Sequence, residues 1–234
     1  MRSLWQKARR KLVRQAINLA DDPIEVQALL LERQPFTPET VIRAYQHGFF
    51  AIPKEKGGMC WLNPPERGIL PIDDFHVEKE VARILRQKRF NVSVDTCFAQ
   101  VIRACADHKR EKLGETWLTE EVLSVACALH RLGVAHSVEI WQGDELVGGV
   151  YGIALGSYFS GESQFYKVTN AGKIAMIRLC EILRASRFTL HDSQYNSPYM
   201  QRFGGTAIPR AEFLDRLTHA LLKPAAFALP ADLL

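Results

Sequence analysis

Residues 135–165 read AHSVEIWQGDELVGGVYGIALGSYFSGESQF. β-prone residues run from Ala135 to Trp141, break at Gln142-Gly143-Asp144 and resume from Leu146 to Leu155. They break again at Gly156-Ser157 and continue from Tyr158 to Phe165. Short runs joined by tight glycine turns predict a meander of three antiparallel strands. The middle strand carries Gly148, Gly149 and Gly152. Glycine weakens a strand, so three on one strand point to a bulge or to the close approach of another backbone or ligand.

Working outward, Thr169 to Ser186 predicts a helix with Ile174, Met176, Ile177, Leu179, Cys180, Ile182 and Leu183 mostly on one side. Phe188 to Gln194 follows as a strand, 196–205 as loop, and Arg210 to Leu222 as a last helix entered at Pro209. Upstream, Thr116 to Leu132 predicts a helix with a cap-like Thr119-Glu120-Glu121, and Cys97 to Ala106 another. Phe90 to Val94 reads as a short strand, and Phe75 to Arg89 as a basic amphipathic helix. Residues 51–71, with Gly57-Gly58 and four prolines, read as loop. Thr37-Pro38 opens a helix that Gly48 ends, Phe49-Phe50 read as core, and residues 1–34 read as helix broken at Pro23. The expected class is α+β (α/β layered) with a mostly antiparallel sheet. The element order is that of acetyltransferase-like folds. A boundary near residue 71 divides a small N-terminal domain (1–71) from a larger one (72–234).

With 47% hydrophobic and 24% charged residues, the chain of 234 has the make-up of a soluble globular protein. It holds no uninterrupted apolar run of about 18 residues, which argues against a membrane span. The net charge of +4 is modest. Its distribution is not: Arg2, Lys7, Arg9, Arg10, Lys11 and Arg14 precede the first acid, Asp21, and Arg83, Arg86, Lys88 and Arg89 form a second knot. Such clusters suit a polyanion, or merely a solvated helix face. Five cysteines without a CxxC pair argue for a reducing compartment, and no secretory signal is visible, so a cytoplasmic location is expected. The Arg-rich, acid-poor start weakly resembles an organelle presequence.

Several chemistries fall away. No GxGxxG or GxxxxGK[ST] loop is present, the segment around Ser163 is not GxSxG, and the seven histidines show no HExxH or paired-ligand spacing. His130 and His136 read as packing or hydrogen-bonding residues. Asp192 and Gln194 lie two apart on a strand, a spacing that points both side chains to one face. Glu162 sits in a strand bracketed by Phe159 and Phe165, where a carboxylate needs a partner or a cationic substrate. A polar strand end in water is the plain alternative for all three.

Collinear segments across roughly residues 38–215 carry a resemblance. They are Ala44-Tyr45-Gln46-His47-Gly48-Phe49-Phe50, Trp61-Leu62-Asn63-Pro64-Pro65-Glu66-Arg67, Thr116-Trp117-Leu118 and the run from Leu129 to Trp141. Leu146 to Gly152, Phe159 to Ser163, Asn170-Ala171-Gly172-Lys173 and Leu190 to Gln194 complete the series. Together they resemble leucyl/phenylalanyl-tRNA–protein transferase. The resemblance implies a small N-terminal domain and an acetyltransferase-like domain that binds aminoacyl-tRNA. The reaction it implies moves a hydrophobic aminoacyl group to the N-terminal amine of proteins beginning with Arg or Lys, marking them for degradation. An ester attacked by an amine yields a more stable amide, so neither a cofactor nor a metal is implied. Enzymatic help then amounts to aligning the amine, keeping it neutral and stabilising the oxyanion.

Residue by residue, the resemblance implies that Gln194, oriented by Asp192, handles the amine, while Glu162 helps hold the acceptor's N-terminal end. Tyr45, Trp61, Trp117, Val150, Phe159, Met176 and His191 match positions that bind the aminoacyl group and the terminal adenosine, Trp117 an aromatic near the adenosine. Arg83, Arg86, Lys88 and Arg89 would contact tRNA phosphates. The chain also departs from the pattern. The family's Phe-Pro-Trp is Phe50-Ala51-Ile52, its second tryptophan is Leu62, and its Asp-Cys-Gln is Asp192-Ser193-Gln194. An apolar pocket position is His191. These changes predict an altered donor or acceptor preference. The alternatives are a non-catalytic binder of aminoacyl-tRNA or basic N-termini, and a coenzyme A-dependent acyltransferase, against which the missing pyrophosphate loop argues.

Overall fold

The computed structural model describes residues 23–54, 58–113 and 116–233. Most of the helix expected over residues 1–34 lies outside the described residues. The helical turns expected after Pro23 are α1, Pro23–Glu32; proline suits a first helical turn because its missing N–H is not needed. In α2, Pro38–Gln46, Thr37 caps by accepting from the Thr40 amide and Pro38 occupies the first turn.

Residues 51–71 correct the sequence reading. They hold most of β1, Phe50–Pro53, and all of β2, Met59–Leu62, and β3, Glu66–Leu70. The prolines that read as loop sit at strand ends, where the missing donor costs no ladder bond. β1 and β2 pair with each other, whereas β3 is an interior strand of the large sheet. It therefore belongs to the same sheet as strands far beyond residue 71.

The chain continues through α3, Lys79–Arg86; β4, Asn91–Val94; α4, Phe98–Leu113; and α5, Glu120–Arg131. The expected meander follows as β5, Ala135–Gln142; β6, Glu145–Leu155; and β7, Tyr158–Tyr166. Helix α6, Ala171–Ala185, leads to β8, Leu190–Gln194. The segment expected as loop contains the short α7, Pro198–Gln201, before β9, Thr206–Pro209, and α8, Arg210–Leu221. The seven-stranded sheet runs β4-β5-β6-β7-β8-β3-β9, and only β7 and β8 are parallel. This is an α+β fold with a mostly antiparallel sheet.

Two apolar cores flank the sheet. One gathers Val41, Tyr45, Phe50 and Trp61 with Phe98, Leu129, Tyr151 and Phe213, so the N-terminal elements share a core with α4, α5 and α8. The other packs Val81 and Ile84 of α3, Val150, Phe159 and the length of α6. Helix α6 is buried well beyond one stripe, because the sheet covers one side while α3 helps cover another. Each large apolar side chain so buried contributes about 1.5–3 kcal/mol. The three glycines of β6 have their reason here: at Gly152 an added Cβ would lie 2.2 Å from the Ser160 carbonyl oxygen and 2.4 Å from the Phe159 ring. No helix among the described residues is long and apolar enough to cross a membrane.

Candidate active site

The parallel ladder between β7 and β8 runs from Tyr158↔Leu190 to Ser160↔Asp192 and goes no further. Beyond it β7 and β8 are unpaired with each other, while on its other edge β8 stays paired to β3 from Leu70↔His191 to Gly68↔Gln194. On its other side, β7 pairs Gly161 with Gly152 and Ser163 with Tyr151, leaving Glu162 as the extra residue of a β-bulge. Glu162, two residues on from Ser160, faces the same side of the strand, and it lines a narrow cavity with Phe36, Tyr45, Trp117, Val125 and Tyr151. The bulge shifts the alternation beyond it, so that Phe165 joins the core that holds Tyr158.

Asp192 anchors the other strand. Its Oδ1 accepts from Arg67 Nε at 2.8 Å and from the Gln194 backbone amide at 2.7 Å. Its Oδ2 accepts from Arg67 Nη2 at 2.6 Å and from the Tyr158 hydroxyl at 2.7 Å. Both charged side chains are 0% exposed. The guanidinium is clamped between the rings of Phe50 and Phe213, each centroid 4.5 Å away, and its Nη1 donates to the Gly48 carbonyl at 2.8 Å. Burial alone would disfavour the Arg67 charge, but the Asp192 carboxylate outweighs it and the guanidinium stays protonated. A buried pair is tolerable only when bidentate and fully hydrogen-bonded, as this one is.

The Asp192–Gln194 contact is with backbone, and it helps hold Gln194 in the left-handed region at φ 62°. Such a conformation costs of order 1–3 kcal/mol and persists only where neighbours enforce it. Gly68 makes room for the turn that follows, since a Cβ there would lie 2.3 Å from the Tyr195 carbonyl carbon. The Gln194 side chain turns to Glu162, its Nε2 donating to Oε1 at 3.1 Å. Ser160 Oγ donates to the same oxygen at 2.9 Å, and Tyr45 also hydrogen-bonds the carboxylate. Burial pushes the Glu162 carboxyl up to about 7, against these hydrogen bonds, which favour the ion. Burial and the nearby Glu162 carboxylate likewise hold the Tyr45 phenol well above its ordinary value.

The residues singled out from sequence fall into three groups. Tyr45, Trp117, Glu162, Asp192 and Gln194 come together on one side of the sheet, and Trp61 packs on Phe36, 5.9 Å between centroids, behind the cavity. Val150, Phe159, Met176 and His191 belong to the opposite side, each no more than 2% exposed. His191 lies edge-on to Phe159 and 4.0 Å from Cys180 Sγ, and burial pushes its pKa down to about 4, so its ring is neutral near pH 7. Phe227, near the C-terminus, stacks on the Phe159 ring at 5.4 Å. Arg83, Arg86, Lys88 and Arg89 form a third group, exposed on and just after α3. Among the described residues no cluster of His, Cys, Asp or Glu is arranged to hold a metal.

Arg67, Tyr158 and Ser160 were not singled out from sequence. Arg67 carried a usable signal: a lone charge entering the apolar Gly68-Ile69-Leu70 requires a buried partner, and Asp192 after Thr189-Leu190 poses the same demand with the opposite sign. Tyr158 and Ser160 carried none, since both residue types are ordinary in strands.

Comparison with known proteins bears on this arrangement. The profile of the family described as leucyl/phenylalanyl-tRNA protein transferase matches residues 69–218. The leucyl/phenylalanyl-tRNA–protein transferase of Paramagnetospirillum magneticum is 42% identical over 196 residues, covering 83% of this chain and 93% of that protein. The enzyme of the same name from Salinibacter ruber is 44% identical over 186 residues, covering 79% and 80%.

Proposed function

The chain belongs to the leucyl/phenylalanyl-tRNA–protein transferase family, and from that premise we propose that it transfers a leucyl or phenylalanyl group from tRNA to the N-terminal amine of proteins beginning with Arg or Lys. Such a transfer marks the acceptor for degradation and takes place in the cytoplasm, where charged tRNA is made and used. The observation that carries the reading is the Gln194 amide held 3.1 Å from the Glu162 carboxylate where β7 and β8 part. It supplies adjacent acceptors for an amine on the cavity side of the sheet.

The roles follow from the contacts. Gln194 donates to Glu162 through Nε2, which leaves its carbonyl oxygen to accept from an incoming amine. Asp192, tied down by Arg67 and Tyr158, fixes the backbone of Gln194 and hence the position of that oxygen. Glu162 supplies the negative charge that draws the acceptor's cationic N-terminal end. Tyr45 and Trp117, with Trp61 behind, offer aromatic surface to the terminal adenosine, where each stacked base is worth about 1–3 kcal/mol. Val150, Phe159, Met176 and the neutral His191 pack on the opposite, buried side of the sheet and are assigned no contact in this cavity. The exposed Arg83, Arg86, Lys88 and Arg89 suit tRNA phosphates. No step calls on a cofactor, because the ester itself supplies the driving force. A division into domains 1–71 and 72–234 is what the family resemblance implies; β3 and the core around Tyr45 join the two parts across that boundary.

A transfer assay tests the reading: the chain is mixed with a full pool of labelled aminoacyl-tRNAs and peptides beginning with Arg, Lys or Ala. Label from leucyl- or phenylalanyl-tRNA should enter the Arg and Lys peptides. Absence of transfer from every charged tRNA overturns it, and binding without turnover would mark a non-catalytic relative.

A further inference from the structure

Resting on the reading of this site as one that aminolyses an aminoacyl ester, we propose that Glu162 takes the proton from the attacking amine, while Gln194 holds that amine and Asp192 stays out of the proton transfer. Three side chains compete for the role. Asp192 has four acceptor positions and all four are filled, two by Arg67, one by Tyr158 and one by the Gln194 amide. With no exposed surface and no free lone pair, it cannot receive an amine proton. Gln194 is a neutral amide and a very weak base. It can accept a hydrogen bond but not keep a proton.

Glu162 differs in each respect. It lines the cavity, and its three hydrogen bonds, from Ser160, Tyr45 and Gln194, leave one acceptor position open. Tyr45 from α2, Tyr151 from β6, and Asp192 with Gln194 from β8 are the polar and titratable groups that face it, with Ser160 from its own strand. The only charge among them is Asp192, and Arg67 offsets it. A carboxyl at about 7 is close to the α-amine of a peptide, about 7.7–8.0. Proton transfer is efficient between groups so matched.

The step balances without any further reactant. An amine arriving as an ammonium ion first gives one proton to solvent. The lone pair of the neutral amine forms a C–N bond at the ester carbonyl, and the proton shed by nitrogen passes to Glu162. Collapse of the tetrahedral intermediate breaks the C–O bond, and its electron pair leaves on the ribose oxygen. That oxygen takes the proton from the Glu162 carboxyl, which restores the carboxylate.

The experiment compares wild type with E162Q in single-turnover transfer at saturating Arg-peptide across pH 5.5 to 8.5. Ionisation of the acceptor amine affects both proteins alike, so the ratio of their rates isolates Glu162. That ratio should rise about tenfold per pH unit below about 7 and level off above it at about 100-fold or more. E162D, which keeps a carboxylate, should retain the pH-dependent limb at a lower rate. A ratio independent of pH, or an E162Q rate within a few fold of wild type throughout, overturns the proposal and leaves the transferase reading standing. Failure of the wild type to transfer overturns both. Should E162Q melt more than a few degrees below wild type, the E162D profile decides: loss of its limb overturns the proposal.

Discussion

Replacing Arg67 by methionine removes charge while keeping an unbranched apolar stem between Phe50 and Phe213. Three donors disappear, two to Asp192 and one to the Gly48 carbonyl. The Asp192 carboxylate keeps Tyr158 and the Gln194 amide but loses its counter-charge in a place with no water contact. Breaking a buried pair from one side costs about 3–5 kcal/mol. The orphaned carbonyl adds about 1–3 kcal/mol. R67M should therefore lose at least about 4 kcal/mol, a large share of the roughly 5–15 kcal/mol by which such proteins are stable. For a chain of this length that lowers Tm by about 8–16 °C. Equilibrium urea unfolding measures the loss directly. The companion R67M/D192L should recover at least half of it, because two apolar side chains need no pairing. An R67M chain within about 1 kcal/mol of wild type would refute the reasoning, as would a double variant no better than the sum of its parts.

At Gly152 an added methyl group meets backbone as well as a ring; G152A should cost about 3 kcal/mol, the upper end for overpacking, read from the urea midpoint. Substituting Arg83, Arg86, Lys88 and Arg89 together by Gln should reduce the slope of log K against log salt for tRNA by about 3. An unchanged slope in filter binding would remove this cluster from the interface. Glu162 also predicts a stability profile. Its folded pKa of about 7 lies above its ordinary value of 4.5, so below the latter both states carry the proton and no cost arises. Between them the folded state increasingly resists ionisation, and above 7 the cost is complete. Thermal melts should show E162Q gaining on wild type as pH rises from 4.5 to 7, and holding that gain above.

The meander was legible because two glycine turns punctuate three β-prone runs, and three of the six observed strand ends coincide with the expected ones while the others lie one residue away. The capped entries to α2 and α5 were equally plain, each a threonine accepting from the amide three residues on. The strands at residues 50–70 were hidden by prolines that mark strand ends as readily as loops. At the site, two-residue spacing brought out Asp192 and Gln194, but no periodicity announces a bulge. One extra residue against β6 shifts the alternation beyond Glu162 and turns Phe165 to the core of Tyr158, which only the pairing register reveals. The partner of Gln194 also escaped: spacing made Asp192 its natural neighbour, yet Asp192 bonds its backbone and Glu162 its side chain.

The Arg67–Asp192 pair joins residues 125 apart in sequence. Closing so long a segment is entropically unfavourable and must precede any reward from the contact. During synthesis the chain emerges from its N-terminus, so Arg67 leaves the ribosome long before the carboxylate that binds it. No fragment ending ahead of residue 192 holds both halves of the site. The buried pair that fixes Gln194 therefore forms only once most of the chain has been made.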